Sequence, residues 1–222
     1  MKIAGFAKTS FVDYPGKIAC VVFTPYCNMK CRYCHNKHIL SGDVPVVEET
    51  KVFDYLEKRK DMLGAVVITG GEPTIQNDLR LFIEKVRKLG LMVKLDTNGT
   101  NPKVIKDLLA KGLLDYIAMD VKAPLNKYFE TVCCPVDINA ITASIGIIMN
   151  SSISYEFRTT FAPSLTCEDI ESIGDLVRGT KAYYLQQYKP AEDEEPAHKP
   201  EYVQAAAEMM REKIGICEVR GL

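Results

Sequence analysis

The sequence predicts an α/β protein built around a mainly parallel sheet, because strand-like and helix-like segments alternate along it. Short apolar runs rich in β-branched and aromatic residues recur at 18–24, 65–69, 91–95, 116–119, 155–160, 182–186 and 216–219. Continuous apolar runs of this length are typical of parallel strands that are buried on both faces. The alternation predicts either a partial (β/α) barrel or a doubly wound sheet, and periodicity alone does not choose between them.

The helices between these strands are predicted from apolar spacing and from residues that start or stop a helix. Asn101 and Pro102 are typical of an N-cap and a first helical position. Thr166 and Asp169 have the spacing of a capping box, and Gly90 is a stop signal. The apolar positions repeat at helical spacing over 79–89, 104–109, 138–148 and 170–177.

The composition is that of an ordinary globular protein, with 47% hydrophobic and 26% charged residues among 222. This length predicts a single domain that spans residues 1–222. A net charge of −1 gives no basic footprint for nucleic acid or for an anionic membrane. Residues 1–8 lack the apolar core of an export signal, and no stretch reaches the roughly 18 apolar residues of a membrane span. We therefore expect a cytoplasmic protein without nucleic-acid or membrane partners.

The strongest functional signal is the run CNMKCRYC, which places three thiols in one short loop at Cys27, Cys31 and Cys34. A closed structural zinc site or a fully ligated iron–sulfur cluster takes four protein ligands, so three thiols leave one position of a soft metal centre open. A zinc site completed by His35 or His38 is the alternative. A disulfide is disfavoured, because eight cysteines without an export signal favour a reducing compartment and metal binding.

Polar and glycine-rich segments follow six successive predicted strands. Because the carboxyl ends of parallel strands lie at one edge of a sheet, we expect these segments to converge on one site. They are the cysteine loop, GGEP at 70–73, DTNG at 96–99, Asp120 with Lys122, Arg158, and Gln186 with Gln187.

The spacing CxxxCxxC, with Tyr33 before the last cysteine and GGEP after the next strand, resembles the radical S-adenosylmethionine (SAM) superfamily. The resemblance implies a partial (β/α)6-type barrel and a 4Fe–4S cluster held by the three cysteines. It also implies that the open iron binds the amino and carboxylate groups of SAM, which is cleaved to methionine and a 5′-deoxyadenosyl radical. No residue beyond the cluster ligands is then expected to act as a catalyst, since the cofactor supplies the chemistry.

Further motifs resemble one subgroup, the glycyl-radical-enzyme activases, and most closely those of anaerobic ribonucleoside-triphosphate reductase. These are TSFVDYPG at 9–16, CHN at 34–36, DTNG, FRTT at 157–160 and YYLQQY at 183–188, and the likeness covers residues 3–222. It implies that a flavodoxin or ferredoxin supplies electrons and that the reductase is the protein substrate. The alternatives are a pyruvate formate-lyase-type activase, a radical SAM enzyme acting on a small molecule such as a deazapurine, and a non-catalytic iron–sulfur or zinc scaffold.

The resemblance also assigns roles to residues around the site. Glycines without a Cβ allow close approach to a ligand, and the planar fork of arginine suits a carboxylate. The implied SAM contacts are Tyr33, Asn36, Gly70, Gly71, Glu72, Asp96, Asn98, Lys122 and Arg158. A candidate monovalent-cation site, for which oxygen ligands are suited, comprises Asp96, Thr97 and Asp120.

The other cysteines are not expected to bind a second cluster. Cys20 and Cys217 fall in predicted strands and are interpreted as small core residues. The adjacent pair Cys133 and Cys134 is expected to be structural or incidental, and Cys167 receives no role. The charged segment 189–200, with its acidic residues 192–195, is expected to be a solvated loop between the sixth core strand and a following helix.

Overall fold

The computed structural model describes residues 1–191 and 194–222, and in this part of the chain eight strands form one sheet in sequential order. The strands are β1 (Gly5–Ser10), β2 (Ala19–Thr24), β3 (Ala65–Gly70), β4 (Met92–Thr97), β5 (Tyr116–Asp120), β6 (Ser154–Phe161), β7 (Tyr183–Gln187) and β8 (Cys217–Arg220). Only β1 is antiparallel to its neighbour; all pairs from β2 to β8 are parallel.

Helices connect the parallel strands. They are α1 (Lys37–Leu40), α2 (Glu49–Arg59), α3 (Leu79–Lys88), α4 (Pro102–Ala110), α5 (Tyr128–Val132), α6 (Ile138–Met149), α7 (Cys167–Leu176) and α8 (Pro200–Arg211). The predicted capping box of α7 is present, with Thr166 and Asp169 bonded reciprocally. Helix α4 begins at Pro102 as predicted, but Asn101 does not cap it, because its side chain donates to the Thr74 carbonyl oxygen at 3.1 Å.

The predicted α/β partial barrel is confirmed, and all seven predicted strands are present. A doubly wound sheet reverses its strand order at a switch point, whereas this order runs from β1 to β8 without reversal. The sheet is not closed, since β1 and β8 lie at opposite ends of that order. Strand β1 was not predicted, because its exposed edge position gives GFAKTS no continuous apolar run.

The two faces of the sheet carry different side chains. The outer face packs its alternate residues, among them Val22, Ile68 and Leu95, against the helices in the main core. Cys20 and Cys217 lie in this core with 0% and 2% exposure, which confirms the structural interpretation. The inner face carries small apolar residues on β2 and β3, and the charged residues Lys94, Asp96, Asp120, Glu156 and Arg158 on β4 to β6. Charge is therefore concentrated on the inner face of one half of the sheet.

The segment between β7 and α8 is more than a solvated loop. Glu194 pairs with Lys37 at 2.5 Å and accepts a hydrogen bond from the Tyr188 hydroxyl, which ties the segment to the region after the cysteines. Glu192 and Asp193, two acidic residues of the segment predicted to be a solvated loop, lie outside the described residues. Within residues 1–191 and 194–222, no helix has the length and hydropathy needed to cross a bilayer.

Candidate functional site

A cavity of about 250 Å³ lies at the carboxyl ends of strands β2 to β7. The structure brings together there all the residues predicted for the cluster, SAM and cation sites except Glu72. Those lining the cavity are Cys27, Cys31, Tyr33, Cys34, Asn36, Gly70, Gly71, Asp96, Thr97, Asn98, Asp120, Lys122 and Arg158. His35 also lines it, and His38 does not. The expected convergence of strand ends on one site is therefore present.

The cysteine loop is held against the fold by backbone hydrogen bonds. The Lys30 amide donates to the Val132 carbonyl at 2.9 Å, and the Cys34 amide donates to the Cys31 carbonyl at 3.2 Å. Burial raises the pKa of the Cys27 thiol to about 11 and also raises that of Cys31. Binding a metal would favour the thiolate forms, because the thiolate is the ligand species.

The three thiols line one cavity. In the described part of the chain, no three His, Cys, Asp or Glu side chains are grouped closely enough to hold a single metal ion. The donor set fits a 4Fe–4S cluster, which thiolates ligate, and the positive charge of Lys122 favours ionisation of Cys27 and Cys31. Cys27, Cys31 and Cys34 are therefore the residues that would hold it.

Glu72 lies outside the cavity lining. Its side chain is fully buried and caps the short 3₁₀ turn Pro73–Ile75, accepting from the Thr74 amide at 3.0 Å. It also accepts from the Thr97 hydroxyl at 2.7 Å and from the Asn98 amide at 2.6 Å. These bonds join the GGEP and DTNG segments beneath the cavity, so Glu72 braces them, and its contact with SAM stays a prediction.

The two glycines bring GGEP against the cysteine loop. The Gly71 amide donates to the Thr24 carbonyl at 2.9 Å, and the Glu72 amide donates to the Tyr26 carbonyl at 2.9 Å. A Cβ at Gly71 would lie 1.8 Å from the Tyr26 carbonyl oxygen, so no side chain fits there. Any contact of Gly70 or Gly71 with an ammonium group would use a carbonyl oxygen as acceptor, because an ammonium group only donates hydrogen bonds.

Replacing Gly71 by alanine should destabilise the protein by about 1–3 kcal/mol, because the overlap displaces the backbone that supports Cys27. Gly146→Ala is the matched control. Its added methyl meets no atom within 4 Å in helix α6, and alanine favours helix by up to about 1 kcal/mol. Urea unfolding of the two variants measures the difference, and equal stability of Gly71→Ala and wild type would contradict the close packing.

Four charged side chains form the wall opposite the cysteine loop. Arg158 donates through Nε to Asp120 Oδ1 at 2.8 Å and through Nη1 to Asp96 Oδ2 at 3.3 Å, and Lys122 donates to Asp120 Oδ2 at 2.9 Å. Burial alone would raise the pKa of the Asp120 carboxyl, but the positive charges of Arg158 and Lys122 outweigh it and hold that pKa well below its usual range. Asp120 is therefore ionised and paired.

The residues predicted for a monovalent cation already have protein partners. Both Asp120 oxygens accept from protein cations, and the positive charges of Lys122 and Arg158 oppose a further cation at that carboxylate. The Thr97 hydroxyl donates to Glu72, and it accepts from the Gly99 amide at 3.2 Å. The cation site at Asp96, Thr97 and Asp120 stays a prediction.

Two buried polar atoms beside the cavity have no hydrogen-bond partner within residues 1–191 and 194–222: Asp96 Oδ1 and the Tyr33 hydroxyl. Buried polar groups usually find a partner, so both are candidates for ligand contacts. Asn98 is less available, because it donates to the Asn28 side chain at 2.9 Å and accepts from the Thr100 amide at 3.1 Å.

Sequence reasoning missed several residues of the cavity wall, namely Met29, Leu40, Thr69 and Thr160. A signal existed for Thr160, because it follows Arg158 by two positions and therefore lies on the same face of β6. Thr160 also pairs in register with Gln186, a strand-end residue named from the sequence. Met29 lies inside the cysteine loop, where side-chain direction is not periodic.

Three cysteines at the mouth of a partial barrel, facing paired charges and glycines, define a class of enzyme that binds a metal cluster beside a small charged ligand. Comparison with known families agrees with this class. The family model of the radical SAM superfamily matches residues 21–177, and the chain belongs to this superfamily. Membership implies a 4Fe–4S cluster and SAM.

Sequence relatives include both activases and small-molecule enzymes. A Methanocaldococcus jannaschii protein, provisionally named a glycyl-radical enzyme activating enzyme, is 39% identical over 201 residues, which are 87% of this chain and 83% of that protein. The 7-carboxy-7-deazaguanine synthase of Thermoplasma acidophilum is 33% identical over 116 residues, covering 51% of this chain and 52% of the synthase. The first match extends over most of both chains, and the second over about half.

Solved structures agree with the fold. Streptococcus suis SuiB bound to precursor peptide SuiA superposes with a TM-score of 0.70 at 17% identity, over 89% of this chain and 48% of SuiB. A domain of pyruvate-formate lyase-activating enzyme from Bacteroides vulgatus gives 0.57 at 16% identity, over 71% of this chain and 99% of that domain. At these identities the similarity is one of fold.

Proposed function

We propose that this chain is an activase that generates a glycyl radical on anaerobic ribonucleoside-triphosphate reductase. The observation that carries the activase role is the 39% identity to a provisionally named glycyl-radical enzyme activating enzyme over 87% of the chain. The choice of reductase rests on the motifs TSFVDYPG, FRTT and YYLQQY. A flavodoxin or ferredoxin is the proposed electron source.

Cys27, Cys31 and Cys34 would hold the cluster, leaving one iron without a protein ligand. When bound, the cluster supplies the electron that cleaves the sulfonium carbon–sulfur bond of SAM. The protein contributes binding and orientation. Lys122 and Arg158 offer positive charge to the SAM carboxylate. Asp96 Oδ1, which accepts no hydrogen bond from the described residues and lies 3.6 Å from the Lys94 ammonium nitrogen, is an acceptor for the SAM amino group or a ribose hydroxyl. Met29, Leu40 and the buried Tyr33 ring restrict water at one wall.

The extent of the sequence matches favours a protein substrate over a small molecule. The match to the glycyl-radical enzyme activating enzyme covers most of both chains, whereas the match to the deazaguanine synthase covers about half of each. A glycine in a flexible loop needs little space, because it has no side chain. The match to the deazaguanine synthase keeps a small-molecule enzyme as the second candidate.

The test is to mix reconstituted chain, reductase, SAM and reductant without oxygen and to record the electron paramagnetic resonance spectrum. We expect a glycyl doublet on the reductase, with release of 5′-deoxyadenosine and methionine. The doublet should disappear when the radical-bearing glycine of the reductase is replaced by alanine.

A parallel reaction with pyruvate formate-lyase distinguishes the alternative activase. A doublet on that enzyme alone would reassign the partner while retaining the activase role. Cleavage of SAM with no radical on either protein would favour the small-molecule candidate, and absence of SAM cleavage by cluster-loaded protein would favour the non-catalytic scaffold.

A further inference from the structure

A second depression, here called the cysteine-loop groove, adjoins the cavity. It measures about 510 Å³ and lies between the cysteine loop, the segment after β6 and the segment after β7. Its lining includes Lys30, Arg32, Pro163, Tyr188 and Glu195. Cys31, Tyr33 and Leu40 line both the groove and the cavity, so a single layer of side chains separates them. A partner seated in the groove would therefore lie beside a cluster ligand.

Three cations and two acids line the described part of the groove, and two of the cations are free of ion pairs with described residues. From residue 25 to residue 42 the chain contains no Asp or Glu. Of the three cations in the groove, Lys37 is paired with Glu194, whereas Lys30 and Arg32 are exposed and form no ion pair with any described residue. Glu195 is the only other described acid that lines it. An acidic surface would complement Lys30 and Arg32.

The floor of the groove is apolar and aromatic. Tyr33, Ala162 and Tyr188 are buried and pack together there, with 8%, 2% and 4% exposure. Central apolar side chains with charges at the rim are typical of a protein-docking surface. A partner in this groove would lie outside the cavity that is proposed for SAM and would still adjoin Cys31.

We propose that the cysteine-loop groove is the docking site of a small acidic electron-carrier protein, an inference that rests on the proposed function. The carrier's reduced flavin or iron–sulfur centre would lose one electron to the cluster that Cys31 would help to hold, and no covalent bond would change. Lys30 and Arg32 steer the acidic surface, which raises the association rate at low ionic strength.

The experiment uses cluster-loaded protein and a reduced acidic flavodoxin, with cluster reduction followed by stopped-flow absorbance and binding by calorimetry. The double variant Lys30→Glu with Arg32→Glu should lower both the second-order rate and the affinity by at least about tenfold at low salt. Glu195→Gln should raise the rate, a change that misfolding does not produce. Reduction by dithionite, which needs no docking, should be unchanged in every variant.

The matched control reverses two exposed charges at the opposite edge of the sheet. Lys58 and Lys88 lie in the last turns of α2 and α3, which end near the starts of β3 and β4. Their Lys→Glu double variant changes net charge equally and should lower the flavodoxin rate by less than about threefold at the same low salt, because the interaction between charges weakens with distance.

Equal flavodoxin rates and salt dependence in wild type and the Lys30/Arg32 variant would overturn the proposal. The proposal would also be wrong if flavodoxin reduced the cluster of the Lys30/Arg32 variant at the wild-type rate while this variant bound the reductase more weakly. That result would assign the groove to the substrate protein. A wild-type chain that takes up no cluster would instead refute the proposed function, and this inference with it.

Discussion

Replacing Cys31 by alanine should abolish cluster binding and SAM cleavage. Cys31 lines both the cavity and the cysteine-loop groove, and its loss leaves two thiols where a cubane with one open iron needs three. Anaerobic reconstitution should give about four irons per wild-type chain and fewer than about one in the variant. Iron analysis, visible absorbance and the yield of 5′-deoxyadenosine measure the effect.

Cys134→Ala is the matched control for loss of a thiol near the loop. The Cys134 thiol donates to the Asn28 carbonyl at 3.4 Å, so it contacts the cysteine loop without lining the cavity. This variant should retain its cluster. A cluster that survives in Cys31→Ala and disappears in Cys134→Ala would show that the ligand set is wrong. Stoichiometric zinc in wild type, with no cluster, would support the zinc alternative.

Asp120→Asn should destabilise the chain by about 3–5 kcal/mol, because it leaves Arg158 and Lys122 without their shared buried counter-charge. We expect weaker SAM binding as well, since both cations lose the group that orients them. Urea unfolding of metal-free protein measures the first effect, and equilibrium binding of SAM to cluster-loaded protein measures the second.

The control is Asp175→Asn, which removes the ion pairs with Arg178 and Lys213. Its carboxylate is 53% exposed and Lys213 keeps its pair with Glu171, so the change should cost about 1 kcal/mol or less. The pH dependence of the free energy of unfolding gives a second test of the Asp120 ion pairs. The pKa of Asp120 is lowered on folding, so its stabilising contribution is complete above the usual carboxyl pKa of 3.8 and is lost as pH falls below it. The difference between wild type and Asp120→Asn should therefore shrink towards about pH 3. A difference independent of pH would argue against an ionised Asp120.

Sequence by itself was sufficient for the features that depend on local pattern. Seven buried strands were visible because a strand covered on both faces must be apolar along its length, and the spacing of Cys27, Cys31 and Cys34 limits the metal chemistry. The order of polar segments after successive strands also predicted one site, since parallel strands end at a common edge. Cys20 and Cys217 could also be recognised as buried core residues, because they fall in predicted strands.

Tertiary structure alone decided how those residues use their hydrogen bonds and charges. Glu72 lies beneath the cavity because a turn directs its carboxylate to Thr74, Thr97 and Asn98, and the last two come from another strand end. Asp120 is paired because Arg158 reaches it from β6, 38 residues away in the sequence. The edge strand β1 and the cysteine-loop groove were not predicted for the same reason. Each depends on which segments, distant in the sequence, lie next to one another in the fold. These spatial neighbours determine which hydrogen bonds and ion pairs a residue forms, how deeply it is buried and how charge is distributed.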